Sequence, residues 1–243
     1  MKMIVHVFEN PSQVAQAAAA IFAAQLLTKP DSVLGLATGS TPIDTYQELI
    51  RLHKAGILDF SKATSFNLDE YVGLHRDHDQ SYDLFMRRQL FDHINLKAFH
   101  LPSGVAPDMD QECLTYEAKI RAAGGIDLQL LGIGNNGHIG FNEPADSFVY
   151  NTNITKLADS TIKANRRFFA SENDVPTTAI SMGIGTIMEA QSILLLAMGE
   201  GKAEAIRQMV EGPISPRLPA SILRGHPRVT VLLDRAAGSK LSR

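Results

Sequence analysis

An α/β fold built around a mostly parallel sheet is predicted by three features of the sequence. Short apolar runs alternate with segments of helical hydrophobic spacing along the whole chain. Several runs end in turns of small residues, as strands do when they lead into a binding loop. No linker, repeat or compositional shift divides the 243 residues, so a single domain over 1–243 is the economical reading.

Met3 to Phe8 reads as the first strand. Asn10-Pro11-Ser12 opens a helix whose apolar positions Val14, Ala18, Ile21, Phe22 and Leu26 share one face, and Lys29-Pro30-Asp31 ends it. Ser32 to Ala37 is a short strand, and Thr38-Gly39-Ser40 is the turn after it. Thr41-Pro42-Ile43-Asp44 then starts a helix, with Thr41 as cap and the helix running to about Ala55 before Gly56. Thr64 to Leu68 is a strand that delivers Asp69-Glu70-Tyr71 at its carboxyl end. A helix is expected over Ser81 to Ile94, a strand at Ala98 to Leu101, a helix over Asp110 to Ala123 and a strand over Asp127 to Ile133.

Beyond Pro144 the pattern loosens. The polar stretch 147–178, with its Arg166-Arg167-Phe168-Phe169 cluster, is expected to contain a lid. Order returns with a strand at Thr178 to Met182, a short helix at Gly185 to Ala190 and an apolar strand at Ser192 to Met198. A helix over Gly201 to Glu211, a short one at Ala220 to Gly225 and a last strand at Arg228 to Asp234 follow, and the tail from Arg235 is expected to fray. The class predicted is therefore a three-layer, modified Rossmann-like fold, with helices on both faces of the sheet and a lid segment.

Composition narrows the function. Hydrophobic residues at 44% and charged ones at 20% suit a soluble globular protein with a substantial core. A net charge of -3 without a basic run gives no reason to expect nucleic acid as a partner. No apolar run approaches the ~20 residues of a membrane helix, and the first residues do not read as a signal peptide. The single cysteine, Cys113, permits no internal disulfide and suits a reducing compartment, so a cytoplasmic location is expected.

The chemistry concentrates in Gly132-Ile133-Gly134-Asn135-Asn136-Gly137-His138-Ile139-Gly140-Phe141-Asn142-Glu143-Pro144. Gly132-x-Gly134-x-x-Gly137 matches the dinucleotide-binding fingerprint in letters. It sits mid-chain, and the residues after it are poor helix formers, so the fingerprint is rejected. The glycines instead let backbone approach a ligand, and His138 and Glu143 supply titratable groups. Thr38-Gly39-Ser40-Thr41 at a helix start reads equally as a phosphate cradle or as an ordinary capped turn. Asp69 at a strand end is a possible general base, although alone a surface or capping acid is the commoner case. Arg166, Arg167 and Lys202 are possible phosphate partners, each by itself more often a solvated charge. His75-Arg76-Asp77-His78-Asp79 is read as an exposed loop and not a metal site. His226 is read as a structural histidine, and Cys113 as a core residue.

Read together, Ala37-Thr38-Gly39-Ser40-Thr41-Pro42, Phe66-Asn67-Leu68-Asp69-Glu70-Tyr71-Val72-Gly73-Leu74, the stretch Gly134 to Pro144, Asn165-Arg166-Arg167-Phe168-Phe169 and Gly201-Lys202-Ala203 closely resemble the glucosamine-6-phosphate deaminase family, aldose–ketose isomerases that also release ammonia. The matching stretches keep family order and span nearly the whole chain. The resemblance implies that Asp69 moves the proton between C2 and C1 of the open-chain sugar. His138 opens the pyranose ring, with Glu143 as its acidic partner. The phosphate sits on Thr38, Gly39, Ser40, Thr41, Arg167 and Lys202, and the family uses no metal and no organic cofactor. A small sugar phosphate is then the partner, with neither nucleic acid nor membrane involved.

Two departures stand out. Many members carry Asp where this chain has Asn136, counted here with the catalytic set. The loss of that charge is expected to leave less of the charged imidazole at His138 and to make Glu143 its sole orienting partner. Members activated by N-acetylglucosamine 6-phosphate carry Arg and Lys at the positions matched here by Asn153 and Thr155, so no such activation and a monomer or low oligomer are expected. The alternatives are a 6-phosphogluconolactonase, which shares the fold and the phosphate handle, and a non-catalytic sugar-phosphate sensor. Asp69-Glu70-Tyr71 and the context of Glu143 favour the deaminase over the first. A sensor should carry a helix-turn-helix segment and could lose Asp69 or His138, both of which are present.

Overall fold

A computed structural model describes residues 3–166, 169 and 175–242. Strands β1 (Ile4–Phe8), β2 (Val33–Leu36), β3 (Thr64–Asn67), β4 (Asp69–Tyr71), β5 (Ala98–His100), β6 (Leu128–Leu131), β7 (Asn153–Lys156), β8 (Thr178–Ser181), β9 (Ser192–Ala197) and β10 (Val229–Asp234) form two sheets. The larger has the order β1-β10-β9-β6-β2-β3-β5, and its pairs run parallel. Every residue of β2 and of β6 is buried. Strands alternate their side chains, so burial at every position means that both faces of the sheet are covered.

The helices are α1 (Pro11–Thr28), α2 (Ile43–Lys54), α3 (Tyr82–Gln89), α4 (Met109–Ala122), α5 (Asp159–Asn165), α6 (Ile184–Met188) and α7 (Ala203–Glu211). The Asn10 side chain accepts from Gln13 N–H and caps α1, with Pro11 in the first turn. Helix α2 begins one residue later than its sequence suggests. Pro42 is already in helical conformation and precedes it, and no side chain caps it, so Thr41 is not the cap. The helix expected over Ser81 to Ile94 also breaks. Leu90 leaves helical conformation at φ -148, and Phe91–His93 forms a 3-10 turn. The break lets buried Phe91 stack on Phe99 of β5, with centroids 4.4 Å apart.

The second sheet carries no mark in the sequence. Asp69–Tyr71 is itself a strand, antiparallel to β8, and β8 is antiparallel to β7 within the segment expected to hold a lid. Tyr71, Phe141, Leu157 and Ala179 form a separate small core beneath it, with Tyr82 and Phe169 packed against them. The tail after β10 does not fray within the described residues. Ala237 is buried, its N–H donates to Asp234 at 2.7 Å, and Ser242 N–H donates to Glu211 at 2.6 Å. Among the described residues no helix is long and apolar enough to cross a membrane.

Candidate active site

From β2 the main sheet grows outward through β3 and β5; from β6 it grows the other way through β9 and β10. The strand order therefore reverses between β2 and β6. The crevice outside their carboxyl ends is where open α/β sheets bind ligands. The Thr38 to Thr41 turn leaves β2 at this point, and the Gly132 to Pro144 loop leaves β6. The two turns adjoin, since a Cβ on Gly132 would stand 4.0 Å from Thr41 Oγ1. The Tyr46 hydroxyl, fully buried on α2, donates to Ala37 O at 2.6 Å and accepts from Ala37 N–H at 3.3 Å. That pair fastens the helix to the strand end just before the turn.

The loop after β6 folds on itself. Gly134 N–H donates to His138 O at 2.9 Å, and Gly137 N–H donates to Gly134 O at 3.0 Å. A Cβ on Gly134 would lie 2.5 Å from His138 Cε1, so glycine here is what lets the imidazole pack on the backbone. No helix follows directly, since the next element after β6 is β7. That disposes of the dinucleotide fingerprint, which must open a helix.

His138 Nδ1 lies 3.2 Å from Glu143 Oε2, which also accepts from Asn136 Nδ2 at 2.7 Å. Asn136 Oδ1 accepts from the His138 backbone N–H at 3.2 Å. Thr161 Oγ1, on α5, donates to Glu143 Oε1. The imidazole thus leans on Glu143, while Asn136 holds the carboxylate and the backbone rather than the ring. Burial resists ionisation of Glu143. Hydrogen bonds from His138, Thr161 and Asn136 and the His138 charge outweigh it and bring the carboxyl down to about 2. With Nδ1 turned to a carboxylate, Nε2 is left as the edge that can exchange a proton with a ligand.

Asp69 opens β4 and pairs with Ser181. A Cβ on Gly140 would stand 3.7 Å from Asp69 Oδ2 and 3.1 Å from Ser181 Oγ, so the carboxylate faces the loop two residues from His138. Burial first, and the charge of Glu70 second, push the Asp69 carboxyl up to about 8. Glu70 points elsewhere and accepts the backbone N–H groups of Tyr71, Tyr82 and Asp83 at 2.8, 2.9 and 3.0 Å. Those bonds return the chain from β4 to the start of α3. They seat Tyr82, whose ring packs on those of Tyr71 and Phe141 with centroids 4.8 and 6.1 Å apart.

Lys202, half-buried, closes the turn after β9, and a Cβ on Gly201 would lie 3.7 Å from the Asn135 side chain. Lys202 therefore borders the same loop. Arg167 lies outside the described residues. Arg166 is exposed.

The acids of the His75 to Asp79 loop go to arginines, Asp77 to Arg87 at 2.6 Å and Asp79 to Arg88 at 3.1 Å. His226 is buried with Nε2 2.8 Å from Ala190 O, and Cys113 is buried on α4.

Three side chains at this site carry no signal in the sequence: Thr161, which holds Glu143; Ser181, whose hydroxyl accepts Phe141 N–H at 3.1 Å; and Tyr82. Behind the loop lies a cavity of about 280 Å³, lined by Asn142 to Ala145 on one side and by Asn153, Thr155 and Lys156 of β7 on the other. A cavity of about 800 Å³ lies elsewhere, at the amino end of β1 beside Val210 and Leu241.

Comparison with known proteins bears on this site. A family model described as glucosamine-6-phosphate isomerases/6-phosphogluconolactonase matches residues 9–232. A glucosamine-6-phosphate deaminase of Alkaliphilus oremlandii is 53% identical over 241 residues, covering 98% of this chain and all of that one. One of Clostridioides difficile is 54% identical over 227 residues, 93% of this chain and 91% of the relative. A solved structure of a monomeric glucosamine-6-phosphate deaminase superposes with a TM-score of 0.95 at 47% identity, over 98% of this chain and 100% of that one. A solved 6-phosphogluconolactonase from Thermotoga maritima shares the fold, with a TM-score of 0.77 at 21% identity over 96% of this chain and 100% of that one.

Proposed function

We propose, for a chain that belongs to the glucosamine-6-phosphate isomerase/6-phosphogluconolactonase family, that it converts D-glucosamine 6-phosphate and water to D-fructose 6-phosphate and ammonia, as a step in amino-sugar breakdown. The observation that carries this reading is the placement of Asp69 against Gly140, in the loop that presents His138 and Glu143. Deaminases match at half identity over the full chain, whereas the lactonases share only the fold.

The Thr38 to Thr41 turn, Lys202 and Arg167 hold the phosphate through backbone N–H groups, hydroxyls and cations, far from the reacting carbons. That handle anchors the sugar in the crevice, and the Asp69 and His138 side chains face its reacting end. His138 Nε2 takes the O1 proton and returns it to the ring oxygen, which opens the pyranose. Glu143 steadies the imidazolium formed between these two transfers.

Asp69 then removes the proton on C2 of the aldehyde, the electron pair moves onto O1, and O1 takes a proton from the C2 ammonium, which gives the neutral enolamine. Return of the proton to C1 leaves an iminium at C2. Water adds to C2, and the carbinolamine collapses to the ketone with loss of ammonia. Each proton transfer to and from carbon or the ring oxygen has a carrier among these side chains, and no step uses a nucleophilic side chain.

Burial, with the Glu70 charge beside it, holds Asp69 near pKa 8, which disfavours the carboxylate that a base requires. The substrate ammonium supplies the missing positive charge and draws the pKa back down. Asp69 is in this way ionised by the ligand on which it acts.

The test is release of ammonia and fructose 6-phosphate from glucosamine 6-phosphate in metal-free buffer, with Asp69→Asn as control. Turnover that required an added metal ion, or that survived in Asp69→Asn, would overturn the scheme. Hydrolysis of 6-phosphogluconolactone at a higher kcat/KM would assign the lactonase instead.

A further inference from the structure

We propose that Asp234 is a positioning residue for the substrate phosphate: its buried carboxylate fixes the Gly199 to Lys202 turn and so sets where the Lys202 ammonium stands. This inference rests on the reading of Lys202 as a phosphate-binding residue. Asp234 is the last residue of β10 and only 6% exposed. Both of its carboxylate oxygens stand 3.1 Å from Gly199 N, and Oδ1 also accepts Ala237 N–H at 2.7 Å. One side chain thus ties the start of the turn after β9 to the chain leaving β10.

Gly199 sits at φ 87, ψ 152, a region L side chains rarely adopt, although a Cβ there would meet nothing within 4 Å. The strain would come from the backbone alone. Lys202 N–H donates to Gly199 O at 3.1 Å, so the turn closes on the very residue whose N–H Asp234 grips. Gly201 in its middle lies against Asn135, which places the turn beside the His138 loop. Burying a carboxylate is costly unless it is fully hydrogen-bonded. Asp234 meets that cost with main-chain donors, one of which carries the geometry of the turn that ends in Lys202. Two residues beyond Lys202, Glu204 pairs with Arg207 at 2.6 Å and with Lys240 at 3.3 Å, so that nearby acid is engaged elsewhere.

The experiment compares Asp234→Asn, Gly199→Ala, Lys202→Ala and the Asp234→Asn/Lys202→Ala pair. It measures kcat and KM for glucosamine 6-phosphate, the Ki of inorganic phosphate as competitor, and thermal unfolding. A handle bound equally in ground and transition states shows in KM and not in kcat. Asp234→Asn and Gly199→Ala are each expected to raise KM and phosphate Ki by the same factor, roughly tenfold, with kcat within about twofold. In the Lys202→Ala background, Asp234→Asn should add less than about twofold, because the residue through which it acts is gone.

An undiminished effect in that background, or an unchanged phosphate Ki in folded Asp234→Asn, overturns the inference while leaving the role of Lys202 intact. A phosphate Ki unmoved by Lys202→Ala refutes the role of Lys202 itself and takes the inference with it. If Asp234→Asn does not fold, Gly199→Ala decides, since it strains the same turn without entering the core.

Discussion

Replacing Glu143 by Gln strikes at ring opening, the step on which the chemistry at C2 depends. The ionised carboxylate accepts from His138, Asn136 and Thr161, and its side chain is only 11% exposed. The fall of its carboxyl from 4.5 to about 2 corresponds to roughly 3 kcal/mol of preference for the charged form. The amide keeps the shape and can still accept from His138, but it returns none of that charge. When His138 becomes an imidazolium between the two proton transfers, the opposing charge is missing.

Thr161 and Asn136 supply part of that preference, so losing the His138 part, on the order of 1–3 kcal/mol, slows ring opening by a factor of about 10 to 10². The direct assay is exchange between the α and β anomers of the bound substrate, followed by NMR magnetisation transfer, because anomers interconvert only through the open chain. Glu143→Gln should lose the enzyme-catalysed exchange and lose ammonia release in parallel. Wild-type exchange in Glu143→Gln refutes the view that Glu143 orients and charges the imidazole. The variant also tests linkage. A carboxyl with a depressed folded-state pKa contributes stability above its unfolded value, and that stability is lost as pH falls from about 4.5 through about 2. Glu143→Gln should lack that part of the acid denaturation profile.

Three further outcomes are expected. For Asp69, whose folded-state pKa is raised to about 8, the folded protein holds the proton more tightly than the unfolded chain between about 4 and 8; wild-type stability falls with pH in that window, and Asp69→Asn should gain up to a few kcal/mol over wild type there, read from denaturant melts at pH 5 and 8. Gly134→Ala would put a methyl 2.5 Å from the His138 ring; activity should fall at least about 10²-fold while Lys202-dependent phosphate inhibition persists, and near-wild-type kcat would show that the imidazole can sit elsewhere. Initial rates should stay hyperbolic and unresponsive to N-acetylglucosamine 6-phosphate, given Asn153 and Thr155 on the wall of the cavity behind the loop; a sigmoidal curve abolished by that compound would contradict this.

What could be read from the sequence was local. Asp69-Glu70-Tyr71 and the Gly134 to Pro144 run are short enough that their spacing already dictates turns and strand ends. The alternating pattern likewise dictates the parallel sheet. Thr161, Ser181 and Asp234 reach their partners across 18, 40 and 35 residues of chain. Single serines, threonines and aspartates carry no mark of such distant contacts. Strand β7 reads as a polar loop because Asn153, Thr155 and Lys156 leave Ile154, itself 37% exposed, as its one apolar residue. At Leu90 the helical pattern continued, but the stacking of Phe91 on Phe99 set the backbone instead. Thr41 was a good cap by type and lost the position to Pro42, whose backbone was already helical.

The two sheets divide inheritance as well as space. Asp69 belongs to the three-stranded sheet, while the Thr38 to Thr41 turn, the His138 loop and the Lys202 turn leave strands of the seven-stranded one. Among the described residues, none of the hydrogen bonds that shape the loop from Gly134 to Glu143 runs through the Asp69 side chain. A descendant could therefore exchange its carbon-acid chemistry by a substitution at the first residue of β4 and still grip a sugar phosphate. Selection on this scaffold can act on catalysis and on recognition as separate traits.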